Sequence, residues 1–219
     1  MLDAAKYSDA SACGNEIASE KPMVRKYIID SLCYWASEYH IDGFRFDLMG
    51  VLDIETLNEA RKALLKINPD IIMYGEGWTG GESTLPESER GMKINAPRTP
   101  GIGMFSDDIR DAVKGHVFYM DELGFVNGAA DRGEELKQAV TCAKWAKLPM
   151  QSINYLSCHD NYTLWDRFII SNSHESEEMR IRMNKLAAAI LFTAQGIPFF
   201  LHGEEFARTK ISEADGAPV

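Results

Sequence analysis

Hydrophobic positions along the chain alternate between a helical and a strand period. From Pro22 to Tyr39 the apolar residues recur every three or four positions, which predicts an amphipathic helix with a proline in its first turn. Similar patterns predict helices over residues 53–67, 132–144 and 176–195. Compact apolar runs between these helices predict strands at 41–48, 71–76, near 104, 152–158 and 197–202.

Strands that alternate with helices are typical of an α/β fold built on a parallel sheet. An eight-stranded β/α barrel has about 250 residues, whereas five strands are predicted here. We therefore expect either an open sheet or part of a barrel. The stretch 79–103 is rich in Gly, Pro and Ser, which predicts a long loop, and loops of that length in compact domains are usually functional.

Composition narrows the classes of partner. The 219 residues are 45% hydrophobic and 26% charged, as in ordinary globular proteins. A formal net charge of -10 argues against nucleic acid and against an anionic membrane surface, so we expect a neutral or small partner. The four cysteines have no CxxC spacing, which favours free thiols over a zinc site.

No apolar run reaches the roughly 18 residues that a membrane helix requires. The first residues, MLDAAKYSDAS, lack the basic and apolar regions of a signal peptide. The sequence therefore leaves the compartment open, with the cytoplasm preferred over export.

The segment IDGFRFDLMG, residues 41–50, carries two charges inside a run that otherwise indicates a buried strand. Side-chain alternation places Phe44, Phe46 and Leu48 on one face, and Arg45 and Asp47 on the other. In a barrel the charged pair would point inward at the carboxyl end of the strand, where barrel enzymes carry their chemistry. The alternative is an ion pair that only satisfies itself.

The second predicted strand ends in the same way. Glu76 closes the apolar run IIMYG and is flanked by Gly75 and Gly77, which permit close backbone approach, and by Trp78, whose ring can stack on a sugar. A solvated surface glutamate is the alternative, but this apolar setting does not favour it.

A further strand runs into SCHDN, which carries His159 and Asp160. Together with His202, Glu204 and Glu205 these residues include plausible metal ligands, but the HExxH spacing is absent, so we predict no metal site. We expect Glu204 to be a hydrogen-bonded carboxylate and Glu205 its solvated neighbour.

The three acids Asp47, Glu76 and Asp160 follow strands that lie one and then two β/α units apart, so only a closed or strongly curved sheet brings them together. Two carboxyl groups about 5 to 5.5 Å apart suit a retaining glycosidase, and a separation of roughly 6.5 to 9.5 Å suits an inverting one.

The blocks DGFRFDLMG, MYGEGW and YLSCHDN resemble conserved blocks of glycoside hydrolase family 13, the α-amylase family, and most closely those of its type I pullulanase and glycogen-debranching members. The resemblance covers about residues 12–210. It implies a partial (β/α)8 barrel, about strands four to eight, with 1–219 as the C-terminal part of the catalytic domain. An earlier conserved block and a segment similar to YNWGYDP are absent, and the tail beyond Lys210 does not resemble the family.

The resemblance implies roles for individual residues. Asp47 would be the nucleophile, Glu76 the general acid and base, and Asp160 the stabiliser of the transition state. Arg45 and His159 would hold the substrate or the nucleophile, and the same blocks place Trp78 and Asn161 among the substrate-binding residues. No cofactor is required, a structural calcium ion is allowed, and the partner is an α-glucan.

Elementary electrostatics agrees with two of these roles. Arg45 would keep Asp47 ionised, as a nucleophile must be, and a drier setting would let Glu76 keep its proton near neutral pH. Hydrolysis of α-1,6 branch linkages is the leading hypothesis. The alternatives are an α-1,4-acting amylase, a neopullulanase, a branching enzyme and a non-catalytic carbohydrate-binding relative. We also expect the isolated fragment to be inactive and to associate.

Overall fold

Parallel strands and intervening helices form the framework of this computed structural model, which describes residues 7–210 and Ser212. The chain divides into two compact units. The first contains residues up to Phe105 and the segment Trp145–Gln151, and the second contains Ser106–Lys144 and the residues from Ser152 onward. Apart from Ser212, the tail beyond Lys210 lies outside the described residues.

The described residues of the first unit form two α-helices and three strands. They are α1 (Pro22–Glu38), β1 (Gly43–Phe46), α2 (Ile54–Leu64), β2 (Ile72–Gly75) and β3 (Gly103–Ser106), whose last residue begins the second unit. β1 pairs in parallel with β2, which places Arg45 beside Tyr74, and β2 pairs in parallel with β3. The carboxyl ends of these strands therefore lie at one edge.

Helix starts in the first unit follow local signals. Pro22 occupies the first turn of α1, where its missing N–H costs nothing. Asp53 caps α2 by accepting a hydrogen bond from the Thr56 amide at 2.9 Å. The Asp53 carboxylate also accepts from Ser19 Oγ at 2.7 Å and from Arg25 at 3.0 Å, which ties the start of α2 to the segment that precedes α1.

The core of the first unit confirms part of the predicted strand pattern. Phe44 and Phe46 pack against a buried cluster formed by α1, α2 and the neighbouring strands. The prediction was wrong for Leu48, which does not share their face. β1 ends at Phe46, and Leu48 adopts a left-handed backbone conformation with φ 38°.

The part of the second unit that the structure describes has four α-helices and two strands. They are α3 (Asp107–Lys114), α4 (Gly133–Val140), β4 (Ser152–Asn154), α5 (Leu164–Ser171), α6 (Glu177–Thr193) and β5 (Ile197–Pro198). β4 and β5 are parallel, with Ile153 beside Ile197. The core includes Ile109, Val113, Leu156, Phe168 and Leu191.

Several boundaries differ from the predicted ones. The four strands that were predicted with bounds are all shorter than expected, because the apolar runs continue into the turns that follow them. The helix predicted over 132–144 ends at Val140, shortly before Cys142 with φ 76°. The short helix α5 was missed, because its buried Asp166 and Arg167 obscure an apolar helical pattern over only eight residues.

The stretch 79–103, every residue of which is described, has no α-helix. It contains two 3-10 helices, Glu87–Glu89 and Lys93–Arg98, and ends at the start of β3. Its status as one functional loop stays a prediction. Within residues 7–210, no helix has both the length and the apolar character that a membrane span requires.

Candidate active site

One arginine joins two carboxyl groups at the edge of the first unit. Arg45 in β1 donates from Nη1 to Asp47 Oδ1 at 2.6 Å and from Nη2 to Glu76 Oε1 at 2.9 Å. Its guanidinium also lies 5.9 Å from the centre of the Phe105 ring. Because β1 and β2 are neighbours in register, Asp47 and Glu76, which follow these strands, come together although they are 29 residues apart in sequence.

Glu76 lies in a drier setting than Asp47. The residue is 7% exposed, and its Oε2 accepts a hydrogen bond from the Leu48 amide at 2.7 Å. Burial raises the pKa of the Glu76 carboxyl above its ordinary value, and the nearby charge of Asp47 raises it further, against the lowering effects of Leu48 and Arg45. A raised pKa is the direction expected of a carboxyl group that serves as a general acid, and this role of Glu76 stays a prediction.

The prediction that the charge of Asp47 is buried was wrong, because its carboxylate is open to solvent. Its side chain is 77% exposed, whereas that of Arg45 is 26% exposed. β1 ends at Phe46, so Asp47 lies just after the strand and not within it. The Asp47 carboxylate is held beside Glu76 through their shared partner Arg45.

The turns after β1 and β2 are joined through the backbone. The Gly50 amide lies 3.2 Å from the carbonyl oxygens of both Glu76 and Trp78. A Cβ on Gly50 would lie 2.4 Å from the Trp78 oxygen, and a Cβ on Gly75 would lie 2.5 Å from the Phe46 oxygen. Glycine is therefore required at both positions for this close approach. Trp78 itself is partly exposed.

The second unit carries the other predicted site residues on a turn. β4 ends at Asn154, so His159, Asp160 and Asn161 are all placed by the turn and none by the strand. All three are exposed, and His159 Nε2 lies 3.5 Å from Asp160 Oδ2. Asn161 adopts a left-handed conformation with φ 57°.

Comparison with known proteins places this geometry in a family. The family model described as alpha amylase, catalytic domain, matches residues 11–217. The chain belongs to the alpha-amylase family.

Curated relatives of this α-amylase family member include pullulanases from bacteria and plants. The chain is 42% identical over 210 residues to the pullulanase of Bacillus subtilis (strain 168), covering 93% of this chain and 29% of that protein. It is 33% identical over 270 residues to chloroplastic pullulanase 1 of Arabidopsis thaliana, covering 95% of this chain and 28% of that protein.

Solved structures of the family match over nearly the whole chain. The pullulanase from Paenibacillus barengoltzii, in complex with maltohexaose and alpha-cyclodextrin, is 48% identical with a TM-score of 0.91, over 97% of this chain and 33% of that one. The pullulanase from Anoxybacillus sp. LM18-11, complexed with maltotetraose, is 46% identical with a TM-score of 0.90, over 96% and 30%. The chain thus has the fold of part of a pullulanase catalytic barrel and spans at most about a third of the length of these relatives.

One group of side chains in the described part of the chain could hold a metal ion. It consists of Cys158, His159 and Asp160, whose potential ligand atoms all lie within 4.8 Å of one another. Calcium prefers oxygen ligands, and only Asp160 supplies a carboxylate, so this group does not fit the calcium ion that the α-amylase family allows.

Glu204 and Glu205 have the environments that the sequence predicted. Glu204 is buried, and its Oε2 accepts from Ser157 Oγ at 2.6 Å, while Glu205 is exposed. Burial raises the pKa of the Glu204 carboxyl. Sequence reasoning missed Ser157 as the partner of Glu204, and it missed Lys210, which contacts the turn after β4. Lys210 closes the family-like segment FARTK, which was the only available signal.

Proposed function

We propose that this chain is the catalytic part of a retaining glycoside hydrolase that cleaves α-1,6 branch linkages of α-glucans such as pullulan, glycogen or starch. The observation that carries the proposal is the pair Asp47 and Glu76 on one guanidinium, in a chain of the alpha-amylase family whose most similar relatives include pullulanases.

In this proposal Asp47 attacks the anomeric carbon and Glu76 protonates the leaving oxygen. Arg45 Nη1 binds the exposed Asp47 carboxylate at 2.6 Å, and we propose that this contact orients the carboxylate for attack. The raised pKa of Glu76 suits a general acid, which must hold its proton before the glycosidic bond breaks. After attack, the Glu76 carboxylate takes a proton from water and completes hydrolysis of the glycosyl-enzyme.

Retention is proposed because Asp47 and Glu76 bind the two terminal nitrogens of one guanidinium, that of Arg45, which holds the two carboxyl groups close together. An inverting pair must leave room for a water molecule between its carboxyl groups. Asp160 is proposed as the third acid, which binds sugar hydroxyls more strongly as oxocarbenium character develops. Trp78, His159 and Asn161 are proposed to bind substrate.

The proposed specificity for α-1,6 linkages rests on the similarity to pullulanases, because the geometry of the site does not distinguish it from α-1,4 specificity. An α-1,4-acting amylase, a neopullulanase or a branching enzyme would use the same three acids. The matched structures include pullulanases in complex with maltotetraose or maltohexaose, which supports an α-glucan as the substrate here.

Digestion of pullulan tests the proposal. The full-length protein that carries this chain should release maltotriose, and its Asp47→Asn variant, prepared in parallel, should release none. Release of panose would assign the protein to the neopullulanases, and binding of pullulan without any cleavage would assign it to the non-catalytic relatives.

Two further sequence-based expectations stay predictions. The cytoplasm remains the preferred compartment, and fractionation of the producing cells tests it. A calcium requirement remains an expectation of the family, and a chelator that lowers the melting temperature of the full-length protein, with recovery on adding calcium, would support it.

A further inference from the structure

Lys210 makes three hydrogen bonds to a single turn. Its ammonium group donates to the carbonyl oxygens of Cys158 at 3.0 Å, His159 at 2.5 Å and Asn161 at 3.0 Å. An ammonium group has three N–H donors, so this turn uses all of them. The three acceptors bracket Asp160 on both sides along the backbone.

The backbone of Lys210 is itself anchored. Its amide donates to Asp166 Oδ2 at 2.7 Å, and the hydroxyl of the preceding Thr209 donates to Asp166 Oδ1. Asp166 is fully buried in the first turn of α5. The lysine therefore extends from a fixed point and does not reach the turn as a free surface side chain.

The turn needs such support. Asn161 has φ 57°, a conformation that costs free energy in residues other than glycine and persists where the surroundings hold it. The side chains of His159 and Asp160 are 66% and 56% exposed, so packing holds them little. Hydrogen bonds to the backbone of the turn are therefore the main contacts that can fix the positions of His159 and Asp160.

We propose that Lys210 is a positioning residue for the His159–Asp160 turn. It acts through the backbone and does not touch substrate. The inference rests on the proposed role of Asp160 in catalysis, and it adds a residue from a distant part of the chain to the machinery. A misplaced stabilising group loses contacts made in the transition state, so loss of Lys210 should lower kcat more than it raises KM.

The test uses Lys210→Met in the full-length protein, with pullulan as substrate. Lys185→Met on the exposed side of α6 is the matched control, because it makes the same change of charge and side chain away from the turn. We expect kcat to fall about tenfold to hundredfold in Lys210→Met with KM within about threefold of wild type, and both to stay unchanged in Lys185→Met.

A double-mutant cycle separates positioning from general destabilisation. If Lys210 acts through Asp160, then Lys210→Met should cost almost nothing further in an Asp160→Asn background. An equal fold-loss in both backgrounds would overturn the inference, as would wild-type kcat in Lys210→Met. If Lys210→Met does not fold, Lys210→Gln, which keeps two donors and no charge, takes its place in the cycle, and an equal kcat ratio to its parent in the wild-type and Asp160→Asn backgrounds would overturn the inference.

The cycle also distinguishes this inference from the proposed function. Full activity of Asp160→Asn alone would refute the catalytic role of Asp160. An Asp160→Asn variant that is slow, combined with a Lys210→Met variant that is as fast as wild type, would leave the function standing and remove only Lys210.

Discussion

Asp47 and Glu76 bind the two terminal nitrogens of one guanidinium, that of Arg45, at 2.6 and 2.9 Å. The pair differs sharply in exposure, because Asp47 faces solvent while Glu76 is nearly buried. Burial raises the pKa of the Glu76 carboxyl, as suits a group that donates a proton, whereas the Asp47 carboxylate is open to substrate. That difference is the physical basis of the proposed division of labour.

The first prediction concerns the two acids. Asp47→Asn and Glu76→Gln in the full-length protein should each lower kcat on pullulan by several orders of magnitude, because each removes a group that acts in the chemical step. Glu178→Gln, on the exposed surface of α6, is the control and should retain full activity. Binding of maltotetraose, measured by calorimetry, should survive in both variants. Near-normal turnover in either one would contradict the assigned roles.

The pH dependence of kcat/KM should depend on Arg45. The positive charge of Arg45 lowers the pKa of Glu76, so its removal in Arg45→Met raises that pKa. A general acid works while it is protonated, and the alkaline limb of the profile should therefore move to higher pH as overall activity falls. A limb that stays in place or moves to lower pH would show that Glu76 is not the titrating acid.

Gly75→Ala tests the close packing beneath Glu76. A methyl group there would lie 2.5 Å from the Phe46 oxygen, so the free energy of unfolding should fall by about 1–3 kcal/mol. Gly133→Ala in α4 is the control, since its added methyl lies 3.9 Å from Phe125, and we expect an effect between zero and about 1 kcal/mol of stabilisation. Denaturant titration of both variants measures the difference, and equal effects would contradict the packing argument.

Lys114 should give stability an unusual dependence on pH. Burial lowers the pKa of this lysine to about 7, with further lowering by Arg110, against the opposing charge of Glu204. Between about pH 7 and the ordinary lysine value near 10.4, the unfolded chain holds a proton that the folded protein does not. Unfolding therefore takes up a proton, and stability from this group rises with pH across that window.

Lys114→Met removes this contribution. The slope of unfolding free energy between pH 7.5 and 10 should be smaller in the variant by up to about 1.4 kcal/mol per pH unit. The stability gain of the variant over wild type should accordingly be greatest near pH 7. Parallel curves for the two proteins would mean that Lys114 keeps its ordinary pKa.

The chain expressed alone should associate. Helix α1 exposes Met23, Tyr27 and a cluster of Tyr34, Trp35 and Tyr39, whose ring centres lie 4.6 to 6.0 Å apart. Exposed apolar patches of this kind drive association. Light scattering after gel filtration should detect oligomers, and Tyr27→Lys with Tyr34→Lys should reduce them. A monodisperse wild-type monomer with a cooperative melt would contradict this prediction.

Much of the α/β framework could be predicted, because helices and strands differ in hydrophobic period. α1 begins at the predicted residue and ends within one residue of the predicted end, and α6 follows its long apolar pattern. Strand ends could not be predicted, since Leu48 and Leu156 extend apolar runs that the backbone leaves at Phe46 and Asn154. α5 was missed because buried charges interrupt its pattern.

The candidate site was predictable in residue identity and less so in environment. The position of Asp47 after β1 followed from strand alternation, but its exposure did not, because exposure depends on where the pleat ends. Lys210 could not have been found from spacing, since its three acceptors are backbone carbonyls about fifty residues earlier, and any residue type supplies those.

Trapping the covalent glycosyl-enzyme shows which residue is the nucleophile. The full-length protein is incubated with a fluorinated glycosyl fluoride that forms the glycosyl-enzyme and turns over slowly, and the labelled peptide is then sequenced by mass spectrometry. Our account predicts the sugar on Asp47, with no label in Asp47→Asn. A label on Glu76 or Asp160, or a product from pullulan whose first-formed anomer is inverted, would contradict it.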